Sequence, residues 1–573
     1  MPDTSNKDCR ILFDVLMAQG LRQVVLSPGS RNAPLLVAAD AREDLNNYII
    51  TDERTAGFMA LGMAMISRKP VMLVCTSGTA LYNYAPAVAE AYYRRIPLIV
   101  VSADRPGRWI DQDDSQTLRQ SGALDKIVKR SFNITLDEGA RIATSGKLFS
   151  TERDWFVNRM VNEAWITATQ APQGPVHINL PIDNPLGETQ LNYDPMPPRT
   201  IRVIDNPSNL PPEKLKEIAL FLADKRVLVT AGFMSPDHRL SKALNEFLKL
   251  PNVTAMAEPI SNLHLPEKYY MVDAVLHNFN AAICDELRPD VVISMGGALV
   301  SRMLKDFIRT NQPDEHWTLA DADPGTDCFQ SLTTHFNLSP LNFFRGVASL
   351  SRWLQRHGKM PENPEYDKAW DKYRTISKSI NTGILRITPW SELTAFRILF
   401  EHMPGDCNAF FSNGTPIRYA SLLMDHLPHG CYSNRGVSGI EGTSATALGC
   451  ALNYSGLTLL VSGDMSFNYY PHIFGNPYFP DSFRIIVINN KGGGIFRFIK
   501  STRNLHNREE YFCAPCETPL KQLSKAYSCY YFQASCETEM IETLPIFFST
   551  PRAVMEILVD PEASATYLKG FLA

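Results

Sequence analysis

The sequence lacks any apolar run long enough to cross a bilayer. Its longest, such as Ile96 to Val101, are strand-sized. The first ten residues are polar, carry charges of both signs and lack the apolar core of a signal peptide. A cytoplasmic protein without a membrane partner is therefore expected. Net charge is also nearly absent: 56 Lys+Arg stand against 60 Asp+Glu, a balance of -4. No bulk basic field argues for a nucleic-acid partner. Cysteine is sparse. The 11 residues are odd in number and scattered from Cys9 to Cys536, which suits reduced thiols rather than a disulfide framework. Cys513-x-x-Cys516 is half of a zinc site, but Cys529 and Cys536 are too widely spaced to form the other half.

What is present is ordinary globular material. The hydrophobic fraction is 45% and the charged fraction 20% of 573 residues, which excludes disorder as the main state. At ~150 residues per domain the length predicts three to four domains and rules out a single small binding module. Strand-like runs at 23–26, 71–75 and 98–102 alternate with a helix from about Ala33 and another at 85–93. A Pro-rich stretch, 194–212, reads as a linker. A second block has strands at 226–230, 291–295 and 318–320. Charged, Pro-containing sequence at 356–378 is the next boundary. The last third alternates again, with strands at 409–411, 457–461, 484–488 and 553–559 and a helix at 442–451. This predicts an α/β protein of three Rossmann-like parallel-sheet domains in series. Ligands in such sheets sit beyond the carboxyl ends of the strands.

Two turns at such ends carry chemistry. One strand runs into Ser462-Gly463-Asp464-Met465-Ser466, and the next into Asn489-Asn490-Lys491-Gly492-Gly493-Gly494. An Asp and an Asn oxygen at neighbouring strand ends reach one hard cation of the Mg²⁺ type, which shares its oxygen ligands with phosphates. The glycines let backbone amides approach a diphosphate, and a following helix N-terminus adds its dipole. Singly, Gly-Asp and Asn-Asn are ordinary turn pairs. Likewise Thr51-Asp52-Glu53-Arg54-Thr55-Ala56-Gly57, which leads into a helix with apolar Phe58, Leu61 and Met65, offers Glu53 as an ordinary first-turn carboxylate.

Together they resemble the thiamine diphosphate enzymes: Gly463-Asp464 with Asn490 26 positions after the Asp, and Glu53 in the first third. The resemblance implies that architecture, with a pyrimidine-binding domain at 1–190, a central domain at 200–355 and a diphosphate-binding domain at 380–573. It implies thiamine diphosphate with Mg²⁺ or Mn²⁺ held by Asp464, Asn490 and the carbonyl of Gly492. It further implies cofactor contacts from Met465, Ser466, Ile495 and Phe496. Met465 stands where the family often has Gly, which is tolerable because backbone faces the phosphate. Glu53 would bond N1′ of the aminopyrimidine and favour the tautomer that forms the ylid, the cofactor being the electron sink. Ile440 matches the bulky residue that props the cofactor into its bent form. The two cofactor ends would meet across a subunit interface, in a homodimer or homotetramer.

The match narrows through 27–34 (Ser-Pro-Gly-Ser-Arg-Asn-Ala-Pro), 76–80, 102–106 and 433–442 (Ser-Asn-Arg-Gly-Val-Ser-Gly-Ile-Glu-Gly). These resemble the branch that decarboxylates 2-oxoglutarate and adds the product to isochorismate, in menaquinone and phylloquinone biosynthesis. Both substrates are dicarboxylates, and guanidinium groups bind carboxylates through paired bonds. By resemblance, Arg418 and Arg435 hold the 2-oxoglutarate part, Ser30, Arg31 and Arg105 hold isochorismate, and Gln116 assists near the reacting carbon. The loop arginines are expected in turns at or near strand ends. A Lys-Arg pair of the branch falls on Ser301-Arg302-Met303-Leu304-Lys305, where Arg302 takes the Lys position and Lys305 stands one helical turn away. A branch Ser is here Gly414, beside Thr415. An acetolactate synthase-like decarboxylase or carboligase is the rival; its substrates are smaller and need fewer arginines.

Overall fold

The computed structural model describes residues 3–135, 142–144, 149–183, 189–190, 198–204, 209–321, 326–359, 362, 364–515 and 517–572. The chain divides into two compact units. One holds the chain up to residue 205 together with 436–455 and 476–480; the other holds 206–435, 456–475 and the chain from 481 onward.

The first unit is built on a six-stranded parallel sheet. Its strands lie in the order Asn46–Ile49, Gln23–Leu26, Val71–Cys75, Leu98–Asp104, Val176–Pro181 and Ser131–Asn133. The three longest strands are buried throughout, as near-continuous apolar runs covered on both faces must be. The polar strand Asn46–Ile49 lies at the edge. The helix Glu53–Ser67 is capped by Asp52, whose side chain accepts from the N–H groups of Arg54 and Thr55. It packs against Thr443–Leu452, a helix from the last third of the sequence. Glycines set that crossing. A Cβ on Gly62 would stand 2.0 Å from the carbonyl of Thr446, and one on Gly449 2.0 Å from that of Met59.

The second unit contains two parallel sheets. The five-stranded one orders Val253–Ala257, Val227–Ala231, Val291–Met295, Glu315–Ala320 and Thr334–Asn337. The six-stranded one orders Gly430–Tyr432, Asn408–Phe411, Thr458–Gly463, Phe483–Asn489, Ala553–Leu558 and Tyr530–Ala534. One apolar cluster joins them, with Phe233, Ile260, Ala274 and Val300 packed among Phe396, Val461 and Ile486. Asn262 reinforces the join: its side chain donates to the carbonyl of Cys431 (2.9 Å) and accepts from the Cys431 N–H (2.7 Å).

The strands expected from sequence are all present; those at 23–26, 71–75 and 291–295 coincide with the expectation and the others have ends moved by one to three residues. The boundary expected at 356–378 is different: a 22-residue helix, Tyr366–Ile387, covers its second half. Lys368, Lys372 and Lys378 lie on its outer face, while Trp370, Asn381 and the ion-paired Arg374 are buried, so charge density there marks an amphipathic helix. Of the Pro-rich stretch, 198–204 and 209–211 carry no helix or strand, and Pro212 opens a helix. No helix of the described residues is long and apolar enough to cross a membrane.

Candidate active site

In the first unit the turns at the carboxyl edge of the sheet pack on one another. A Cβ on Gly29 would stand 2.5 Å from Thr76 Cβ, so the turn of Ser30 and Arg31 lies directly on the Thr76–Thr79 turn. Arg31 is buried and donates to the carbonyls of Ile182 (2.8 Å) and Asp183 (3.0 Å). Burial, and then Arg105 nearby, hold its pKa below the usual guanidinium range. Ser30 is exposed beside it. Arg105 follows the strand Leu98–Asp104 and reaches across to 114–115. Its Nη1 pairs with Asp114 (2.9 Å), and its Nη2 donates to the carbonyl and hydroxyl of Ser115.

Gln116 follows that clamp in the left-handed region, φ 53°. Its backbone and Cβ lie against Gly78, itself at φ 91°. Gln120 holds this arrangement. Its side-chain Oε1 accepts from the Gly78 N–H (2.6 Å), and its Nε2 donates to the carbonyl of Ala103 and to Asn179 Oδ1.

Glu53 opens its helix and is half-buried. Because Asp52 does the capping, the Glu53 carboxylate has no hydrogen bond or ion pair among the described residues. Its field reaches Cys75, at the end of a central strand, and Tyr84, both of which burial chiefly pushes well up. Ile440 lies on the turn before the helix Thr443–Leu452, where Gly442 packs on the Phe58 ring. That turn is pinned by Glu90, a buried carboxylate that accepts from the N–H groups of Gly436 and Val437 (both 2.7 Å). Glu90 and Gln120 escaped the sequence reading. Glu90 had a signal, a lone carboxylate in the largely apolar helix Ala85–Arg94; Gln120 had none.

In the second unit Asp464 is the first residue after the strand Thr458–Gly463 and is 5% exposed. Its carboxylate accepts from the N–H groups of Gly492 (2.8 Å) and Met465 (2.7 Å). Burial pushes its pKa up to about 6 against those bonds. Thus the two turns are tied together. Gly492 stands at φ 113°, where a Cβ would meet the carbonyl of Cys513 at 2.2 Å, so only glycine fits. Asn490 is 4% exposed; its Nδ2 donates to Glu392 and its Oδ1 has no partner. A buried unpartnered amide oxygen beside a buried carboxylate is a donor set suited to a hard cation. Ser466 is buried, and Met465, Ile495 and Phe496 are half-buried around these turns. The helix expected after the glycines is only a 3₁₀ turn, Gly494–Arg497, and the helix after Gly463 is four residues long. Any dipole there is that of single turns.

The arginines of this unit divide. Arg302 and Arg418 line one cavity of about 310 Å³ with Asp273, Met303, Thr415 and Tyr419. Arg418 lies inside the helix Thr415–Leu423, which corrects the expectation of a turn: the helix starts at Thr415 immediately after Gly414, with Pro416 in its first turn. Burial holds the Arg418 pKa below its usual range, with Asp273 opposing and Arg302 adding to the effect. Lys305 is engaged elsewhere, donating to the carbonyl of Leu299 (2.9 Å). Arg435 donates to Asn413 (3.2 Å) and is not among the residues lining that cavity. Gly414 stands at φ 104°, a conformation that disfavours a serine there. Of the cysteine pair, Cys513 is buried and Cys516 lies outside the described residues; among the described residues no cluster of three or more His, Cys, Asp or Glu side chains is placed to hold a metal.

Parallel α/β sheets, a glutamate left free at a helix start in one sheet's unit and an oxygen-rich Asp–Asn–Gly pair of turns at strand ends in the other define the class of thiamine diphosphate enzymes. Residues 9–123 match the family described as thiamine pyrophosphate enzyme, N-terminal TPP binding domain. A 2-succinyl-5-enolpyruvyl-6-hydroxy-3-cyclohexene-1-carboxylate synthase of Porphyromonas gingivalis is 39% identical, over 99% of this chain and 97% of the relative. Those of Flavobacterium johnsoniae (32%, 98% and 97%) and Cytophaga hutchinsonii (34%, 97% and 97%) carry the same name. The chain belongs to the family of 2-succinyl-5-enolpyruvyl-6-hydroxy-3-cyclohexene-1-carboxylate synthases.

Proposed function

We propose that this chain decarboxylates 2-oxoglutarate and adds the resulting succinyl unit to isochorismate by conjugate addition. The products are 2-succinyl-5-enolpyruvyl-6-hydroxy-3-cyclohexene-1-carboxylate and CO₂, in menaquinone biosynthesis. The observation that carries the reading is the buried, unpartnered Oδ1 of Asn490 beside Asp464, on a turn that admits only glycine at 492. Asp464, Asn490 and the carbonyl of Gly492 would hold Mg²⁺ or Mn²⁺. When bound, thiamine diphosphate supplies the nucleophilic carbon and the electron sink.

The chain's own residues bind and orient. Glu53 holds the shared proton at the pyrimidine ring nitrogen, and Ile440 supplies the apolar prop. Arg418 and Arg435, with Arg302, bind the carboxylates of 2-oxoglutarate. Ser30, Arg31 and Arg105 bind those of isochorismate, with Gln116 close to the new bond. Forked guanidinium groups favour such dianions over smaller monoacids. We read residues 1–190, 200–355 and 380–573 as pyrimidine-binding, central and diphosphate-binding domains. The protein works in the cytoplasm as a homodimer or homotetramer, in which the Glu53 end and the Asp464 end of each cofactor site come from two subunits.

The test is isochorismate consumption by purified protein with 2-oxoglutarate, thiamine diphosphate and Mg²⁺ or Mn²⁺, with a pyruvate arm. Consumption that needs every component supports the reading. No consumption, or turnover of pyruvate alone, overturns it.

A further inference from the structure

Glu392 is a buried carboxylate, 2% exposed, with no part in the chemistry assigned so far. It is the first residue of the helix Glu392–His402, but it does not cap that helix. Ser391 and Thr394 form the capping box, and the Ser391 N–H donates to the Thr394 hydroxyl (2.8 Å). The Glu392 N–H donates to Ser564 (3.1 Å), which fixes the backbone. The side chain turns inward, where one oxygen accepts from Asn490 Nδ2 and the other has no hydrogen-bond partner. Gly494 closes the space: a Cβ there would stand 2.3 Å from Asn490 Nδ2 and 3.3 Å from Glu392 Oε1. Charged and polar groups around the carboxylate are Asp464, which repels it, Arg497, which attracts it, and the Thr415 hydroxyl. Arg497 itself is paired with Glu509 (2.7 Å).

An asparagine amide has two nearly isosteric faces, of which only the oxygen can ligate a cation. Whichever face meets Glu392, the opposite one is left over. Here Glu392 Oε1 takes Nδ2, which leaves Oδ1 without a partner and free for a cation. We propose that Glu392 is a positioning residue of the cation site, fixing the Asn490 amide so that its oxygen faces the metal. Resting on the reading of Asp464, Asn490 and Gly492 as the metal-holding set, this assignment extends it by one residue. Outer partners of this kind typically govern metal affinity by about 10–100-fold.

The readout is Mn²⁺ affinity in the presence of thiamine diphosphate, followed by the electron paramagnetic resonance signal of free Mn²⁺. It uses the full chain, with thermal melting of each protein without metal as the check on folding. Glu392→Ala is expected to weaken Mn²⁺ binding by about 10–100-fold. Glu392→Leu, which fills the space better, should do the same and serves if the alanine variant melts early. Glu392→Gln keeps an amide oxygen able to accept from Asn490 and should retain most of the affinity. Wild-type affinity in both Glu392→Ala and Glu392→Leu, or a glutamine variant as weak as alanine, overturns the proposal. Asp464→Ala separates the two levels. If it has lost Mn²⁺ while Glu392→Ala has not, only the role of Glu392 fails. If Asp464→Ala binds as wild type, the cation site itself fails.

Discussion

Arg105 Nη1 and Asp114 Oδ2 lie 2.9 Å apart, and the same guanidinium grips the carbonyl and hydroxyl of Ser115. One arginine thereby clamps the segment that leads into Gln116, held at φ 53°. Under the proposed function its fork serves a substrate carboxylate as well. Arg105→Lys keeps the charge and loses the paired geometry. The expected loss is about 1.5–3 kcal/mol of binding to a charged group. Steady-state kinetics should show KM for isochorismate rising by about 10–100-fold, with thiamine diphosphate affinity unchanged. A KM equal to wild type would place Arg105 outside the acceptor site.

Asp52 and Glu53 are adjacent carboxylates with separable roles. Asp52 accepts from two N–H groups of its helix, whereas Glu53 takes no part in the cap. Glu53→Gln should lower kcat by about 10²–10⁴-fold, the range of a lost proton-transfer group, with an unchanged melting temperature. Asp52→Ala should cost about 1 kcal/mol of stability instead, read as a lower melting temperature. Equal melting losses in both variants would contradict the division.

The crossing of Glu53–Ser67 with Thr443–Leu452 depends on Gly62 and Gly449, where a Cβ would sit 2.0 Å from a facing carbonyl. Gly62→Ala and Gly449→Ala should each destabilise by at least about 1–3 kcal/mol, the cost of overpacking. Ser67→Ala, at the end of the same helix, is the control for helix propensity. Thermal denaturation of the three variants decides it.

His177 is fully buried, with its Nε2 against Ser102 Oγ (2.8 Å), and burial pushes its pKa down to about 4. Below its ordinary value of 6.5 the unfolded chain takes up a proton that the folded chain refuses until about 4. Unfolding therefore binds a proton in that window, and stability falls with acidification by about 3 kcal/mol across it. Glu258 and Asp464, raised by burial to about 7 and about 6, contribute with the opposite sign. His177→Asn leaves those terms in place, so its melting temperature should drop less between pH 7 and pH 5 than that of the wild type. An identical drop would remove His177 as the cause.

Much of this was legible in the chain. Continuous apolar runs such as Val71–Cys75 were legible as covered strands, because an apolar run of five residues bounded by turn residues suits a parallel strand buried on both faces. The Gly463-Asp464 and Asn490–Gly494 turns were legible as oxygen-bearing strand ends through residue type and order, and the fold ties them through the Gly492 N–H on Asp464. Glu53 was legible as a carboxylate at a helix start, but not as the one left free, since that depended on Asp52 taking the cap. Arg418 was legible as a cation, but its place inside a helix and beside Arg302 required the fold. Other relationships had no local trace. Glu392 and Asn490 are 98 positions apart, and Gln120 reaches Gly78 across 42. Residue type and spacing determine which groups can ligate, cap or bury, because those are properties of the side chain and its near neighbours. Which oxygen finds a partner and which is left over is decided only when distant segments close on each other, since burial and pairing are properties of the packed chain.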